Sequence, residues 1–169
     1  MTPILSPDIV EFTSGSPAQT ARIGERLGAL LQPGDIVCLQ GALGAGKTCL
    51  AQGVGKGWGA VDDVTSPTFT LIHELRRATD GAVLYHIDLY RVESEDEARY
   101  LGLSDLFDGD AVCLIEWPER APNLAPEECL RIQFTLLGET RRRLTFSAKD
   151  ERRLKLLNDL KRVAFGVSG

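Results

Sequence analysis

The stretch GALGAGKT, residues 41–48, places three glycines, a lysine and a threonine at fixed spacing. It matches the phosphate-loop pattern G-x-x-x-x-G-K-[ST] at every specified position. Glycines let the backbone curl so that successive N–H groups point inward at the start of a helix, where they bind an anion. Lys47 would supply a positive charge for the outer phosphates, and the Thr48 hydroxyl would ligate Mg²⁺. The pattern therefore predicts a nucleoside triphosphate with magnesium, against the alternative of a glycine-rich turn that binds nothing.

The predicted nucleotide contacts follow this loop into the next helix: Gly41, Gly44, Ala45, Gly46, Lys47, Thr48 and Cys49. A GTPase would normally carry an Asn-Lys-x-Asp element for guanine. The two asparagines of the chain, Asn123 and Asn158, lie in NLAP and NDLK, so this element is absent. ATP is therefore favoured by elimination, and residues 13–20 are our candidate segment for contacting the adenine.

Two carboxylates lie near the ends of predicted strands. Asp88 is in VLYHIDLY and Glu116 is in AVCLIEW. Mg²⁺ takes one or two protein carboxylates in addition to phosphate oxygens, and ligands of a doubly wound sheet bind at the carboxyl ends of its strands. Both acids are therefore candidates for the cation site, with ordinary strand-end acids as the alternative. His86 shares the face of Asp88 because side chains alternate along a strand, and a packed, hydrogen-bonded core histidine is the favoured interpretation for it.

Two further segments each have a purely structural and a functional interpretation. The segment TSPTFT, residues 65–70, carries four hydroxyl side chains after the predicted phosphate-loop helix. Such a segment is either a plain turn before a strand or a switch-like loop that reaches the γ-phosphate or its metal. The run Arg141-Arg142-Arg143 favours a solvated basic face, with a contact to phosphate or RNA as the alternative.

Strands and helices alternate along the chain. The patterns predict a helix beginning after Ser16 with Gln19 completing a capping box, a second such helix after Ser94, and a C-terminal helix over residues 150–163. Apolar runs predict strands at residues 36–40, 83–90 and 111–117, and a pair of strands within 130–146 joined near Gly138. This order predicts an α/β sandwich with a mainly parallel sheet.

Length and composition fit one globular domain over residues 1–169. The net charge of −5 makes tight, unaided binding to nucleic acid a poor expectation. Four cysteines lack a CxxC spacing, and the first residues lack a basic segment followed by a long apolar run. We therefore expect reduced thiols, a cytoplasmic location and no membrane association.

Five motifs in this order resemble one family, the tRNA threonylcarbamoyladenosine biosynthesis protein TsaE, also called YjeE. They are GALGAGKT, TSPTFTL, YHIDLYR, LGLSDLF and CLIEWPER. The phosphate loop alone is generic, whereas SPTFTL together with HIDLYR and IEWPE is specific to the family. The resemblance implies a P-loop NTPase-like three-layer sandwich with a mainly parallel central sheet and some antiparallel strands near the C-terminus.

The resemblance also implies a weak, Mg²⁺-dependent ATPase that works with the partners TsaB and TsaD and meets tRNA through that complex. The complex transfers a threonylcarbamoyl group to the adenosine beside the anticodon, a step that TsaE does not itself perform. By the same resemblance, Thr48 and Glu116 hold the metal, Asp88 acts as a water-positioning or catalytic acid, and Thr65 belongs to a catalytic switch-like loop. Ala42 replaces the acid that the family usually has at this position, so a partner contact made by that acid is not expected of this chain.

Two other functions stay open at this point. A small-molecule kinase would need a substrate pocket and an arginine-bearing lid, for which residues 141–143 are the candidates. A nucleotide-sensing module would bind without meaningful turnover. Rapid ADP production that depends on one metabolite would favour the kinase, and full function without Asp88 or Glu116 would favour the sensor.

Overall fold

The computed structural model describes residues 6–64 and 71–166 of the chain. The switch-like segment predicted at residues 65–70, including Thr65, lies outside the described residues. The elements, in chain order, are β1 (Ile9–Ser14), α1 (Pro17–Leu30), β2 (Ile36–Gln40), α2 (Lys47–Trp58), β3 (Ile72–Arg76), β4 (Val83–Asp88), α3 (Glu95–Tyr100), α4 (Leu103–Phe107), β5 (Val112–Glu116), a 3₁₀ turn (Pro118–Arg120), β6 (Leu130–Leu136), β7 (Arg142–Ser147) and α5 (Glu151–Phe165).

The described strands form one sheet in the order β1-β7-β6-β2-β5-β4-β3. Its four central strands are parallel, with β2 between β5 and β6 and β4 beside β5. The outer pairs, β6 with β7, β7 with β1, and β3 with β4, are antiparallel. The predicted α/β class with a parallel centre and a C-terminal antiparallel pair is confirmed. Strand β1 is an addition to the predicted elements. Its buried residues alternate with less buried ones, the pattern of a half-buried strand.

Helices cover both faces of the sheet, so the molecule has three layers. The core on one face joins apolar side chains of α1, α2 and α5 to the strands. The core on the other face contains Ala98 of α3 and Leu103 of α4 together with residues of β2, β4 and β5. The three-layer arrangement follows from a buried parallel sheet, which must be covered on each side.

Helices α1 and α2 approach each other so closely that their backbones touch. A Cβ atom on Gly57 of α2 would lie 1.9 Å from the carbonyl oxygen of Glu25, and one on Gly28 of α1 would lie 2.1 Å from that of Val54. Real Cβ atoms do not come this close to backbone atoms, so only glycine fits at these contacts. This packing fixes α2, whose first residues belong to the predicted phosphate loop.

The predicted helix starts are confirmed, with one difference. Ser16 accepts a hydrogen bond from the amide of Gln19 at 3.2 Å, as expected of a cap. The Gln19 side chain accepts from the amide of Gly15 at 2.6 Å, one residue before the cap. The capping residues of α3 repeat this arrangement, since the amide of Glu97 donates to Ser94 while its carboxylate accepts from the amide of Glu93.

Two observations bear on the expectations drawn from composition. Within residues 6–64 and 71–166, no helix combines the length and apolar character that crossing a membrane requires. The four cysteines are free thiols, three of them buried and Cys49 half-buried.

Candidate functional site

The predicted phosphate loop connects the end of β2 to the start of α2. Gly46 caps the helix with a φ of 105°, and Gly44 has a φ of 78°, a conformation that residues with side chains rarely adopt. A Cβ atom on Gly44 would meet nothing within 4 Å. The Ala45 amide donates within the loop to the carbonyl of Ala42 at 3.1 Å, so this amide is committed to the loop itself. The local backbone therefore has the left-handed turns that a phosphate cradle needs.

Gly41, the first glycine of the motif, has a packing reason of its own. A Cβ atom there would lie 2.8 Å from Cβ of Phe134 on the neighbouring strand β6. Gly41 is not among the described residues that line the cleft in front of the loop. The structure therefore places Gly41 behind the candidate site, and its carbonyl accepts a hydrogen bond from the Lys47 ammonium group.

A cleft of about 460 Å³ opens in front of the loop. It brings together residues from four parts of the chain: Leu43, Gly44, Ala45, Gly46, Lys47, Thr48, Cys49, Leu71, Asp88, Tyr90, Arg91, Glu116 and Trp117. Six of the seven predicted nucleotide contacts and both predicted carboxylates are among them. They meet here because parallel strands end at the same edge of the sheet.

Lys47 lies almost wholly inside the protein, with 6 % of its surface exposed. Its ammonium group donates to the carbonyls of Gly41 and Ala42, the latter at 3.1 Å, and lies 3.8 Å from the centre of the Trp117 ring. Burial lowers the pKa of Lys47, while Glu116, Glu119 and Asp88 act in the opposite direction. The cation thus sits in a site whose nearby acids favour its charge.

Glu116 and Thr48 touch across the cleft. The Thr48 hydroxyl donates to Oε1 of Glu116 at 3.3 Å, and Glu116 is buried, with 2 % of its surface exposed. Asp88 is the register partner of Glu116 on the adjacent strand β4, so the two carboxylates share a face. Two carboxylates and a hydroxyl are hard oxygen donors, and they fit Mg²⁺, which keeps several waters and needs few protein ligands.

Asp88 ends its strand in a hydrogen bond to its own turn. Oδ1 accepts from the amide of Tyr90 at 3.0 Å, which explains why β4 stops at Asp88 rather than at residue 90. Burial raises the pKa of Asp88; the Tyr90 amide opposes this rise and Glu116 adds to it. A carboxylate with a raised pKa in a cleft is typical of a functional position.

His86 is fully buried beneath these acids. Its Nε2 lies 3.5 Å from Oε2 of Glu116. In the part of the chain that the structure describes, neither ring nitrogen has a hydrogen-bond partner. The predicted burial of His86 is confirmed, whereas the predicted hydrogen bond is absent among the described residues. The carboxylate next to Nε2 is that of Glu116.

Trp117 follows Glu116 in the sequence and lines the cleft. It is the one non-glycine residue with a positive φ among residues 6–64 and 71–166, at 60°, and its amide donates to the carbonyl of Leu39 at 3.2 Å. Its ring lies 5.0 Å from that of Tyr90 and faces Lys47. The left-handed turn after β5 directs this large ring to the cleft, which the sequence pattern does not reveal.

Arg142 is the member of the arginine run that meets the loop. Its Nε donates to the carbonyl of Ala45 at 3.2 Å, and Nη1 donates to the carbonyl of Glu139 at 3.0 Å. It also lines a second groove of about 230 Å³, on whose wall are Pro17, Thr20, Gly44, Gly46, Cys49, Glu139, Thr140 and Arg142. The groove and the cleft share Gly44, Gly46 and Cys49. The contact of its side chain with the loop, a tertiary feature, distinguishes Arg142 from Arg141 and Arg143.

The family model of the threonylcarbamoyl adenosine biosynthesis protein TsaE matches residues 14–144. This range contains the loop, both carboxylates and Arg142. The chain belongs to the TsaE family.

Relatives within the TsaE family cover most of the chain. The TsaE protein of Bacillus subtilis is 40 % identical over 154 residues, which are 90 % of this chain and 94 % of that protein. The TsaE protein of Treponema pallidum is 41 % identical over 132 residues, 78 % of this chain and 96 % of that protein. The crystal structure of Bacillus subtilis YdiB is similar in fold, with a TM-score of 0.76 and 34 % identity over 92 % of this chain and 96 % of that chain. The family resemblance inferred from the motifs is therefore confirmed.

Proposed function

We propose that this chain binds ATP and Mg²⁺ in the cleft and hydrolyses ATP slowly, as an accessory ATPase of tRNA threonylcarbamoyladenosine biosynthesis. The observation that carries the proposal is the meeting of the phosphate loop, Lys47, the Thr48–Glu116 pair and Asp88 in one cleft. Family membership supports the biosynthetic role.

The phosphates would lie against the N-terminus of α2. Amides at this end of a helix are oriented toward an anion, and the helix dipole favours negative charge there. Lys47 would turn from the carbonyls of Gly41 and Ala42 to the outer phosphates. Because the ammonium group lies beneath the loop, a rotation of the Lys47 side chain alone would bring it to the phosphates.

Thr48 and Glu116 would hold Mg²⁺, which neutralises charge on the phosphates when it is bound. Asp88 would accept a hydrogen bond from the attacking water and orient it toward the terminal phosphate. A carboxylate whose pKa is raised by burial is a better proton acceptor than an ordinary one. Thr65 stays a prediction as a further catalytic residue of the switch-like loop.

The nucleoside would lie in the groove of about 230 Å³ on the other side of the loop. Cys49 follows the cation ligand Thr48 in sequence, and its thiol donates to the carbonyl of Pro17 at 3.1 Å. Thr20 and Arg142 complete the walls of the groove with polar groups. Pro17 and Thr20 belong to the segment 13–20, our candidate for contacting the adenine.

The partners in this proposal are TsaB and TsaD, with tRNA bound through the complex, and the setting is the cytoplasm. Nucleotide in the cleft would govern assembly with these partners. The threonylcarbamoyl transfer itself would belong to the partners.

Three measurements test the proposal. Wild-type protein should bind ATP more tightly with Mg²⁺ than with EDTA, and Thr48→Ala should remove most of that difference. Asp88→Asn should retain nucleotide binding and lose hydrolysis. Pull-down with TsaB and TsaD should depend on the nucleotide. If no nucleotide state supports association with these proteins, the accessory role is wrong; if turnover survives in Asp88→Asn, the assignment of the water-positioning acid is wrong.

The kinase alternative has less support. The guanidinium of Arg142 donates to the backbone carbonyls of Ala45 and Glu139, which ties it to the loop and its own hairpin rather than to a lid. A screen of ADP release with added small metabolites decides between the two functions, since only a kinase would be accelerated by one of them.

A further inference from the structure

A buried imidazole faces the predicted cation ligand. His86 lies on β4, two residues before Asp88, and none of its surface is exposed. Its Nε2 is 3.5 Å from Oε2 of Glu116, just outside an ordinary hydrogen-bond distance. Among the described residues, both ring nitrogens lack a hydrogen-bond partner. A buried polar ring without a partner is rare in proteins and requires an explanation.

The two oxygens of Glu116 face different elements. Oε1 accepts from the Thr48 hydroxyl of α2 at 3.3 Å, and Oε2 faces His86 of β4. A carboxylate with 2 % of its surface exposed needs donors close by. Of the described residues, these two contacts supply one hydroxyl and one imidazole, and Lys47 lies nearby as a cation. A shift of a few tenths of an ångström would turn the imidazole contact into a hydrogen bond.

We propose that His86 is a positioning residue for Glu116: its Nε2–H donates to Oε2, and the bond directs Oε1 toward Thr48 and the cation. The inference rests on the proposed function, because it concerns how the predicted metal ligand is held. Ligating carboxylates are commonly oriented by such hydrogen bonds, and loss of the outer partner weakens metal binding roughly 10- to 100-fold.

The position itself argues against simple packing. His86 is flanked on its strand face by the buried Leu84 and pairs with the buried Leu114 of β5. An aliphatic side chain would suit these neighbours and would leave no polar atom unpaired. Histidine is explained here by the carboxylate beside it.

Three variants separate the effect of a hydrogen-bond donor at the place of Nε2 from the effect of side-chain shape. In His86→Gln the amide nitrogen reaches the place of Nε2; in His86→Asn it reaches only the place of Nδ1; His86→Leu has no donor. The measurement is the affinity for a non-hydrolysable ATP analogue by calorimetry, with Mg²⁺ and again with EDTA, and its result is the dissociation constant in EDTA divided by the dissociation constant in Mg²⁺. We expect wild type and His86→Gln to share one ratio, and His86→Asn and His86→Leu to lower it about 10-fold.

The controls make each outcome decisive. His73→Gln changes the other histidine of the chain, the register partner of His86 on β3, and should keep the wild-type ratio. Should His86→Leu fail to fold, the comparison of Gln with Asn, which are equally polar, still decides. Equal ratios in all three variants would overturn the positioning role and leave the proposed function intact. A wild type whose affinity for the ATP analogue does not depend on Mg²⁺ would overturn both.

A second measurement needs neither nucleotide nor metal. Nitrogen NMR of the imidazole side chains distinguishes Nε2–H from Nδ1–H, and His73→Gln assigns the two rings. The expected result is an Nε2–H tautomer for His86 that loses its hydrogen-bond shift in Glu116→Gln. An Nδ1–H tautomer, or a signal that ignores Glu116→Gln, would refute the proposal.

Discussion

Replacing Lys47 by alanine removes the buried cation of the predicted phosphate loop. The ammonium group makes two kinds of contact. It donates hydrogen bonds to loop carbonyls, including that of Ala42 at 3.1 Å, and it makes a cation–π contact 3.8 Å from the centre of the Trp117 ring. Nucleotide binding would exchange these contacts for charged phosphate oxygens. The variant therefore tests both the loop assignment and the exchange.

The expected loss follows from the two terms of that exchange. A hydrogen bond to a charged group contributes about 1.5–3 kcal/mol. On binding, wild-type Lys47 gives up its hydrogen bonds to the loop carbonyls and its contact with the Trp117 ring, so these contacts offset part of that gain. A net loss of about 1–2 kcal/mol in the variant corresponds to a roughly 5- to 30-fold weaker affinity for ATP.

The assay is isothermal titration of a non-hydrolysable ATP analogue with excess Mg²⁺. Lys56→Ala is the matched control, since Lys56 lies on the same helix, its side chain is 77 % exposed, and it pairs with Glu25 at 3.2 Å. We expect the control to stay within about twofold of wild type, because exposed ion pairs are worth little. Thermal melts of both variants check that α2 remains folded.

Equal affinities of wild type and Lys47→Ala would refute the reasoning. So would an equal loss in Lys56→Ala, because it would show that general charge, and not the place of Lys47 beneath the loop, governs binding.

Three further predictions concern packing, protonation and fluorescence. Gly57→Ala should destabilise the fold by about 1–3 kcal/mol, since its Cβ would meet the α1 backbone at 1.9 Å, whereas Gly138→Ala, with open space around it, should be neutral in the same denaturant titration. Burial raises the pKa of Asp88 in the folded state above the ordinary value of 3.8. Between these two pKa values the folded state holds the proton more tightly than the unfolded state, so the free energy of unfolding falls as pH rises. In EDTA, Asp88→Asn should therefore melt higher than wild type at pH 7, with a difference that shrinks toward pH 4; a constant difference would contradict this. In Trp58→Phe protein, Trp117 emission should respond to ATP with Mg²⁺, and a flat titration would count against its place in the cleft.

Much of the site could be predicted from local pattern because the chemistry is local. Residues 41–48 form one continuous loop whose glycines have positive φ angles, so spacing alone predicted that Lys47 and Thr48 lie together at the cleft. The positions of Asp88 and Glu116 follow from the sequence less directly. Both end strands, and the strands of a parallel sheet end at one edge, which placed Asp88 and Glu116 side by side.

Other parts of the site depend on contacts between distant segments, which spacing does not encode. Arg142 has two arginine neighbours of identical chemistry, and only the pairing of β7 with β6 beside the loop brings its side chain to Ala45. The closeness of α1 and α2 is likewise a property of two surfaces, although each helix carries its glycines visibly in sequence.

The sequence by itself determined the phosphate loop, the alternation of strands and helices, the family and the two strand-end acids, because each depends on neighbouring residues or on a short repeating period. Only the tertiary structure decided that β1 joins the sheet, that Trp117 turns its ring toward Lys47 and that His86 meets Glu116 at 3.5 Å. These are relations between side chains far apart in the chain, and they exist only after strand pairing and helix packing have fixed the distances between them.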